Sequence, residues 1–225
     1  MNILIRELVE GGIIKGETVA MDATFIKAWS RRDQADDSHG YSDPESRVGR
    51  DGKTYDLGYK AHLAVDVDSD MPVAMVVASA NENEKKHTEE LMDKASRVVD
   101  GFRVVVGDSQ YSSRRVRDCI SEFGAESVIP YPSNHRRGEE VLRVDRFFRT
   151  SGSDVERKMY GLGRASVERV NSRLELVGLD CLKLRGLRRV MVHVLLCIIV
   201  MLFVAVAAVR LGRPWKVRSL ASKRW

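Results

Sequence analysis

Residues 102–111 read FRVVVGDSQY. The unbroken apolar run Val104-Val105-Val106 stops at Gly107-Asp108, the pattern of a buried central strand that delivers one carboxylate. In open α/β sheets, ligands lie beyond the carboxyl ends of the parallel strands, so Asp108 is presented at a site. A helix starts just after, with Ser112 or Ser113 as its N-cap. An aspartate that only caps or turns the chain at a strand end gives the same pattern. Its partners decide between the two.

Upstream, Thr18–Trp29 (TVAMDATFIKAW) has strand character, and period-two spacing puts Ala20, Asp22, Thr24 and Ile26 on one face. Asp22 thus interrupts a mostly buried strand. An unpaired buried carboxylate is costly, so it normally has a cation or several donors beside it. Gly58–Asp66 (GYKAHLAVD) and Met71–Ala80 (MPVAMVVASA) form an antiparallel hairpin around Asp68-Ser69-Asp70. The Asp66, Asp68, Asp70 spacing is not a calcium loop, because the sixth position is Met71 and the twelfth is Val77 where such loops need Gly and Glu. Lys60 and His62 alternate with Ala61 and Leu63, so they share one strand face; phosphate contact and solvent exposure both fit. Asn81–Val99 is helical, with Thr88, Leu91, Met92 and Ala95 at three-to-four spacing. A helix around Ser113–Phe123 and a short strand Glu126–Pro130 follow the central strand. Two stretches, near 30–56 and 131–157, are dense in charge, lack periodicity and read as irregular, mobile insertions.

Lys158–Gly178 is amphipathic: Val167, Val170, Leu174 and Val177 form a stripe, with Arg164, Glu168, Asn171, Ser172 and Glu175 on the adjacent face. Glu168 sits at the edge of that stripe, where a helix packed on a sheet can aim a carboxylate at the strand ends. Ordinary surface pairing of Arg164, Glu168 and Arg169 is the plainer reading. Val190–Val209 holds one polar residue, His193, and qualifies as a membrane span by length and hydropathy. Basic residues flank both its ends, which weakens any orienting asymmetry, and a helix buried between sheet and neighbours fits equally well.

The whole chain, 225 residues and 44% hydrophobic, suffices for one main domain with its own core. Its net charge of +5 favours an anionic partner, nucleic acid or membrane surface. Six basic residues and no acidic one lie from Arg210 to Trp225, a phosphate-binding tail or a solvated terminus. Cys119, Cys181 and Cys197 are odd in number and form no CxxC, so neither a disulfide framework nor a zinc site is indicated; a reducing cytoplasm fits. MNILIREL at the start lacks the apolar region and cleavage site of a secretory signal.

Three carboxylates, Asp22, Asp108 and Glu168, therefore come from a first strand, a central strand and a late helix. Like charges brought together need cations among them, and hard oxygen ligands suit Mg²⁺ or Mn²⁺. Paired ions of this kind drive in-line phosphodiester attack. The order strand, strand, strand, helix, strand, helix, strand gives an α/β mixed sheet with helices on both faces, the order of ribonuclease H-like folds.

The segments VAMDATFIKAW, YDLGYKAHLAVDVDSDMPVAMVVASANENEKKHTEELM, VVVGDSQYSS and RASVERVNSRLELVGLDCLKLRGLRRVMVHVLLCIIVML together resemble the DDE transposases of insertion sequences, over roughly 18–212. The resemblance implies a ribonuclease H-like catalytic domain over 1–212 with a basic tail at 213–225. It implies Asp22, Asp108 and Glu168 as catalytic metal ligands for Mg²⁺ or Mn²⁺, and Arg164, Lys60, His62 and Tyr160 as DNA contacts. The implied partner is double-stranded DNA, both transposon ends and target, held by a homodimer in a synaptic complex at the nucleoid in the cytoplasm. It also implies a core helix, not a membrane span, at 190–209. Relatives often place a Tyr three residues before the Arg, where this chain has Gly161 with Tyr160 displaced by one, and a Lys seven after the Glu, where it has Glu175. A carboxylate at 175 would repel the DNA backbone. Relatives also carry a longer region before the first Asp, so a truncated or split copy, retaining DNA binding without cleavage, is the alternative expectation.

Overall fold

Strand β1 (Thr18–Lys27) is the one on which the sheet is assembled. In this computed structural model, which describes residues 1–31, 41–132, 136–137, 140–141 and 154–220, β1 pairs on one side with β3 (Thr54–Asp66), antiparallel. On its other side it pairs in parallel with β5 (Val104–Gly107), and β6 (Glu126–Val128) extends β5, again in parallel. The far edge of β3 is shared: β4 (Met71–Ser79) pairs along 59–66, and β2 (Arg47–Asp51) along 54–58. The result is the expected mixed sheet, antiparallel first and parallel later. All four residues of β5 are buried, as a central parallel strand covered on both faces requires.

Register assigns the faces. Ala20 lies beside Val106 and Asp22 opposite Leu63, so these share a face, and α4 (Asp154–Leu176) packs there with Gly163 against Val106. Ala23 pairs with His62, so His62 points the opposite way. It meets His87, ring centroids 4.6 Å apart, at the end of a 3₁₀ turn (Glu84–His87) that leads into α2 (Thr88–Ser96). Helix α3 (Arg114–Glu122) lies beside α2; the Ser113 hydroxyl accepts from the Val116 N–H at 3.2 Å, the cap read from sequence.

Helix α1 (Asn2–Glu10) packs on α5 (Leu187–Arg210), which also covers β4. By length and composition α5 could cross a membrane. Val190, Val194, Ile198, Met201, Leu202 and Ala205 are buried in the core, while Val192, Leu196, Val200 and Phe203 are exposed on the opposite side.

Three sequence expectations change. The stretch 30–56 is not one irregular insertion: it holds β2 and the start of β3, and Asp43 is fully buried, accepting from the Tyr59 hydroxyl at 2.8 Å. An edge strand with charged outward residues carries little hydrophobic alternation, which hid β2. Residues 32–40 lie outside the described residues. Within 131–157, α4 already begins at Asp154, and Arg136–Arg137 and Glu140–Val141 pair as two short strands, β7 and β8; the rest of 133–153 lies outside the described residues. In the basic tail, Arg210 instead pairs with Glu7 at 2.6 Å and Arg218 with Asp70 at 3.0 Å, while 221–225 lie outside the described residues.

Candidate active site

Met21 of β1 lies directly beside Gly107 of β5, so Asp22 and Asp108 follow at adjacent positions where the parallel pairing ends: β5 stops there, while β1 runs on to Lys27 against β3. The Asp108 Oδ1 accepts from the Gln110 N–H at 2.9 Å and caps the 3₁₀ turn Ser109–Tyr111. Asp22 Oδ1 accepts from the Ala23 N–H at 2.8 Å. Gly163 lets α4 settle onto β5: a Cβ there would stand 2.7 Å from Val106 Cγ1. That close approach carries Arg164 to the strand ends. Asp22, Gly107, Asp108, Gly163 and Arg164 line one slot of about 10 Å³, space for about one water.

The slot is electrostatically unbalanced. Burial pushes the Asp22 carboxyl up to about 6; the negative charges of Asp108 and Glu168 add to this, and the Ala23 N–H and Arg164 oppose it. Burial also raises Asp108, against the Gln110 N–H and Arg164. Arg164 is bracketed by Tyr160, Asp22, Asp108 and Glu168. Glu168, its side chain 66% exposed, accepts from Arg164 Nη2 at 3.3 Å. Among the described residues, no three His, Cys, Asp or Glu side chains stand close enough to hold a metal ion together. The chain thus brings Asp22, Asp108 and Arg164 into one slot, with Glu168 one helical turn along α4 and bound to Arg164.

The remaining sequence candidates divide. Tyr160 is partly buried beside Arg164 and within the field of both aspartates, so it borders the slot; burial raises its phenol. Lys60 and His62 do not. They lie on the opposite face of the sheet, covered by the 3₁₀ turn: Lys60 Nζ donates to Glu84 Oε1 at 2.6 Å with both side chains 12% exposed, and His62 is fully buried. A lysine already paired in the interior and an inaccessible imidazole cannot meet a phosphate. Burial and His87 push His62 down to about 4, so it is neutral.

Tyr111 is the residue the sequence reading missed. It is 1% exposed, its hydroxyl has no hydrogen-bond partner among the described residues, and it lies in the field of Asp22, Asp108 and Glu84. Its position three after Asp108 was visible, but not the turn that folds it back.

The family model of the transposase DDE domain matches residues 14–203. This chain belongs to the DDE transposase family. Among solved structures, the piggyBac transposase synaptic complex with hairpin DNA is similar to this DDE transposase at 12% identity and a TM-score of 0.54, over 91% of this chain and 51% of that one. A simian T-cell lymphotropic virus intasome matches at 12% identity and TM-score 0.41, over 81% and 48%. The Mos1 transposase paired-end complex matches at 14% and 0.32, over 75% and 61%. The transposase chain spans about half the length of the first two, 48% and 51%. At such identities the piggyBac likeness shows the shared ribonuclease H-like fold. No curated protein sequence matches the chain.

Proposed function

We propose that this DDE transposase carries out divalent-metal-dependent cleavage and strand transfer at the ends of an insertion sequence, with Asp22, Asp108 and Glu168 as the metal ligands. The observation that carries this reading is the convergence of Asp22 and Asp108 in one slot just past the end of the β1–β5 pairing, with the Asp22 carboxyl pushed up to about 6. A carboxyl raised by burial, with further carboxylates beside it, is one that a bound cation would stabilise as the anion, and an all-oxygen donor set fits Mg²⁺ or Mn²⁺. Asp22, Asp108 and Glu168 would hold such ions, whose chemistry would be activation of a water or 3′-hydroxyl and charge stabilisation at the leaving oxygen. Glu168 joins the aspartates by giving up Arg164, and Arg164, so released, grips a DNA phosphate beside Tyr160. The partners are double-stranded transposon ends and target DNA, gathered by two copies of the chain in the cytoplasm, with α5 serving the core and not a bilayer. A non-cleaving DNA-binding remnant is favoured by one observation, the Arg164–Glu168 pair, in which the third carboxylate is already engaged by an arginine.

Nicking of supercoiled plasmid separates the two. With Mg²⁺ or Mn²⁺ the wild-type chain nicks and Asp108→Asn, which removes one charge at nearly constant shape, does not. A folded wild-type chain that binds DNA without nicking would establish the remnant.

A further inference from the structure

Glu168 lines a second cavity, an open cleft of about 560 Å³ on the outward side of α4. Three guanidiniums converge there around the β3–β4 turn. Arg169 is bidentate to the Asp70 carboxylate, at 2.8 and 2.7 Å. Arg218, arriving from beyond α5, places Nε 3.0 Å from the same carboxylate and donates to the carbonyls of Ser69 and Asp68. Arg173 donates to the Asp70 carbonyl. Asp70 is fully buried and holds φ at +56°, so the turn is fixed around its charge.

One bidentate arginine already satisfies one carboxylate. Elsewhere the prominent pairs are matched one to one: Lys60 with Glu84, Arg210 with Glu7, Lys27 with Asp56. In this cleft three positive groups face Asp70 and Glu168, and Glu168 is the carboxylate claimed by the metal site. Each guanidinium has five N–H donors, and the bonds above use only a fraction of them. Arg169 and Arg218 side chains remain 49% exposed, and Ser172 adds a hydroxyl at the rim. An excess of planar donors in an open cleft is the chemistry that recognises phosphate.

We propose that this cleft binds a phosphodiester of the DNA strand adjoining the one presented to Asp22 and Asp108, with Arg169 and Arg218 as its principal ligands. The proposal rests on the transposase reading: slot and cleft lie along the same helix, lined by Gly163, Arg164 and Val167 of α4 on one side and by Ala165, Glu168, Arg169 and Ser172 on the other.

The test is the salt dependence of binding to a short fluorescein-labelled DNA duplex, followed by anisotropy. Each phosphate contact contributes about −0.9 to the slope of log K against log salt. Arg218→Gln and Arg169→Gln each flatten the slope by about that amount, Arg218→Lys keeps it, and Arg97→Gln, which breaks only a surface pair with Asp93, leaves it unchanged. A merely structural clamp would lower the melting temperature and not the slope. Should Arg169→Gln fail to fold, Arg218→Gln decides, since Asp70 keeps its bidentate partner. Wild-type slopes in the Arg218→Gln chain, with plasmid nicking intact in the wild type, overturn the cleft alone; absence of salt-dependent DNA binding by the wild type overturns both.

Discussion

Asp22 and His62 sit on neighbouring strands, face opposite ways, and are displaced in opposite senses. The Asp22 carboxyl lies above its ordinary value, at about 6, so the folded chain holds that proton more tightly than the unfolded one. Its contribution to stability is complete below about pH 4 and is lost as pH rises through about 6. Asp22→Asn is therefore expected to melt higher than wild type at pH 7, with the difference vanishing toward pH 4, in melting curves recorded without metal. For His62, lowered to about 4 by burial and His87, stability is full above about pH 6.5 and is lost as pH falls through about 4. His62→Leu gains over wild type on acidification and leaves DNA binding unchanged. Tyr111 belongs with them as a buried polar group without a partner, which costs about 1–3 kcal/mol where it occurs. Tyr111→Phe should fold at least as stably as wild type. Because that hydroxyl is hydrogen-bonded to neither aspartate, the same substitution should leave Mn²⁺ binding unchanged, as measured by titration calorimetry.

Helix α4 positions more of the site than any strand, and Gly163 sets its height above β5. Alanine in place of glycine inside a helix gains about 1 kcal/mol by propensity. At 163 the added methyl would meet Val106 Cγ1 at 2.7 Å and Cβ at 2.9 Å, an overpacking that costs about 1–3 kcal/mol. The clash wins, so Gly163→Ala is expected to destabilise in urea unfolding and to reduce nicking by shifting Arg164. Gly161, with nothing within 4 Å of its missing Cβ, is the control: Gly161→Ala should stabilise by up to about 1 kcal/mol. The apolar stripe Val167, Val170, Leu174 and the run 104–106 made α4 and β5 legible in the sequence. β2 was not legible, because three of its five residues are charged and its one apolar side chain, Val48, is exposed. The shared face of Lys60 and His62 was read correctly, but its covering was not: the turn at 84–87 that buries it is remote in sequence, and strand periodicity gives a face without saying what lies on it.

Across the molecule, the mixed sheet brings together residues that the chain keeps far apart. Asp108 was readable because strand ends in α/β sheets have a fixed relation to sites, and Asp22 because a charge inside an otherwise buried strand is costly without a partner. The Arg164–Glu168 pair was readable only as a surface possibility, since side-chain rotamers leave no trace in spacing. The slot between β1, β5 and α4, the arginine cleft around Asp70 and the return of Arg218 to the β3–β4 turn are products of packing, and no local pattern announces them. The catalytic proposal requires that Asp22, Asp108 and Glu168 form one divalent-cation site. Its most direct measurement is Mn²⁺ binding followed by electron paramagnetic resonance, in the presence of duplex DNA, for the wild type, Asp22→Asn, Asp108→Asn and Glu168→Gln. Wild type should sequester Mn²⁺, both Asp→Asn chains should lose that binding, and Glu168→Gln should weaken it. Equal Mn²⁺ uptake by the wild type and the Asp→Asn chains, or none by the folded wild type, would contradict the account.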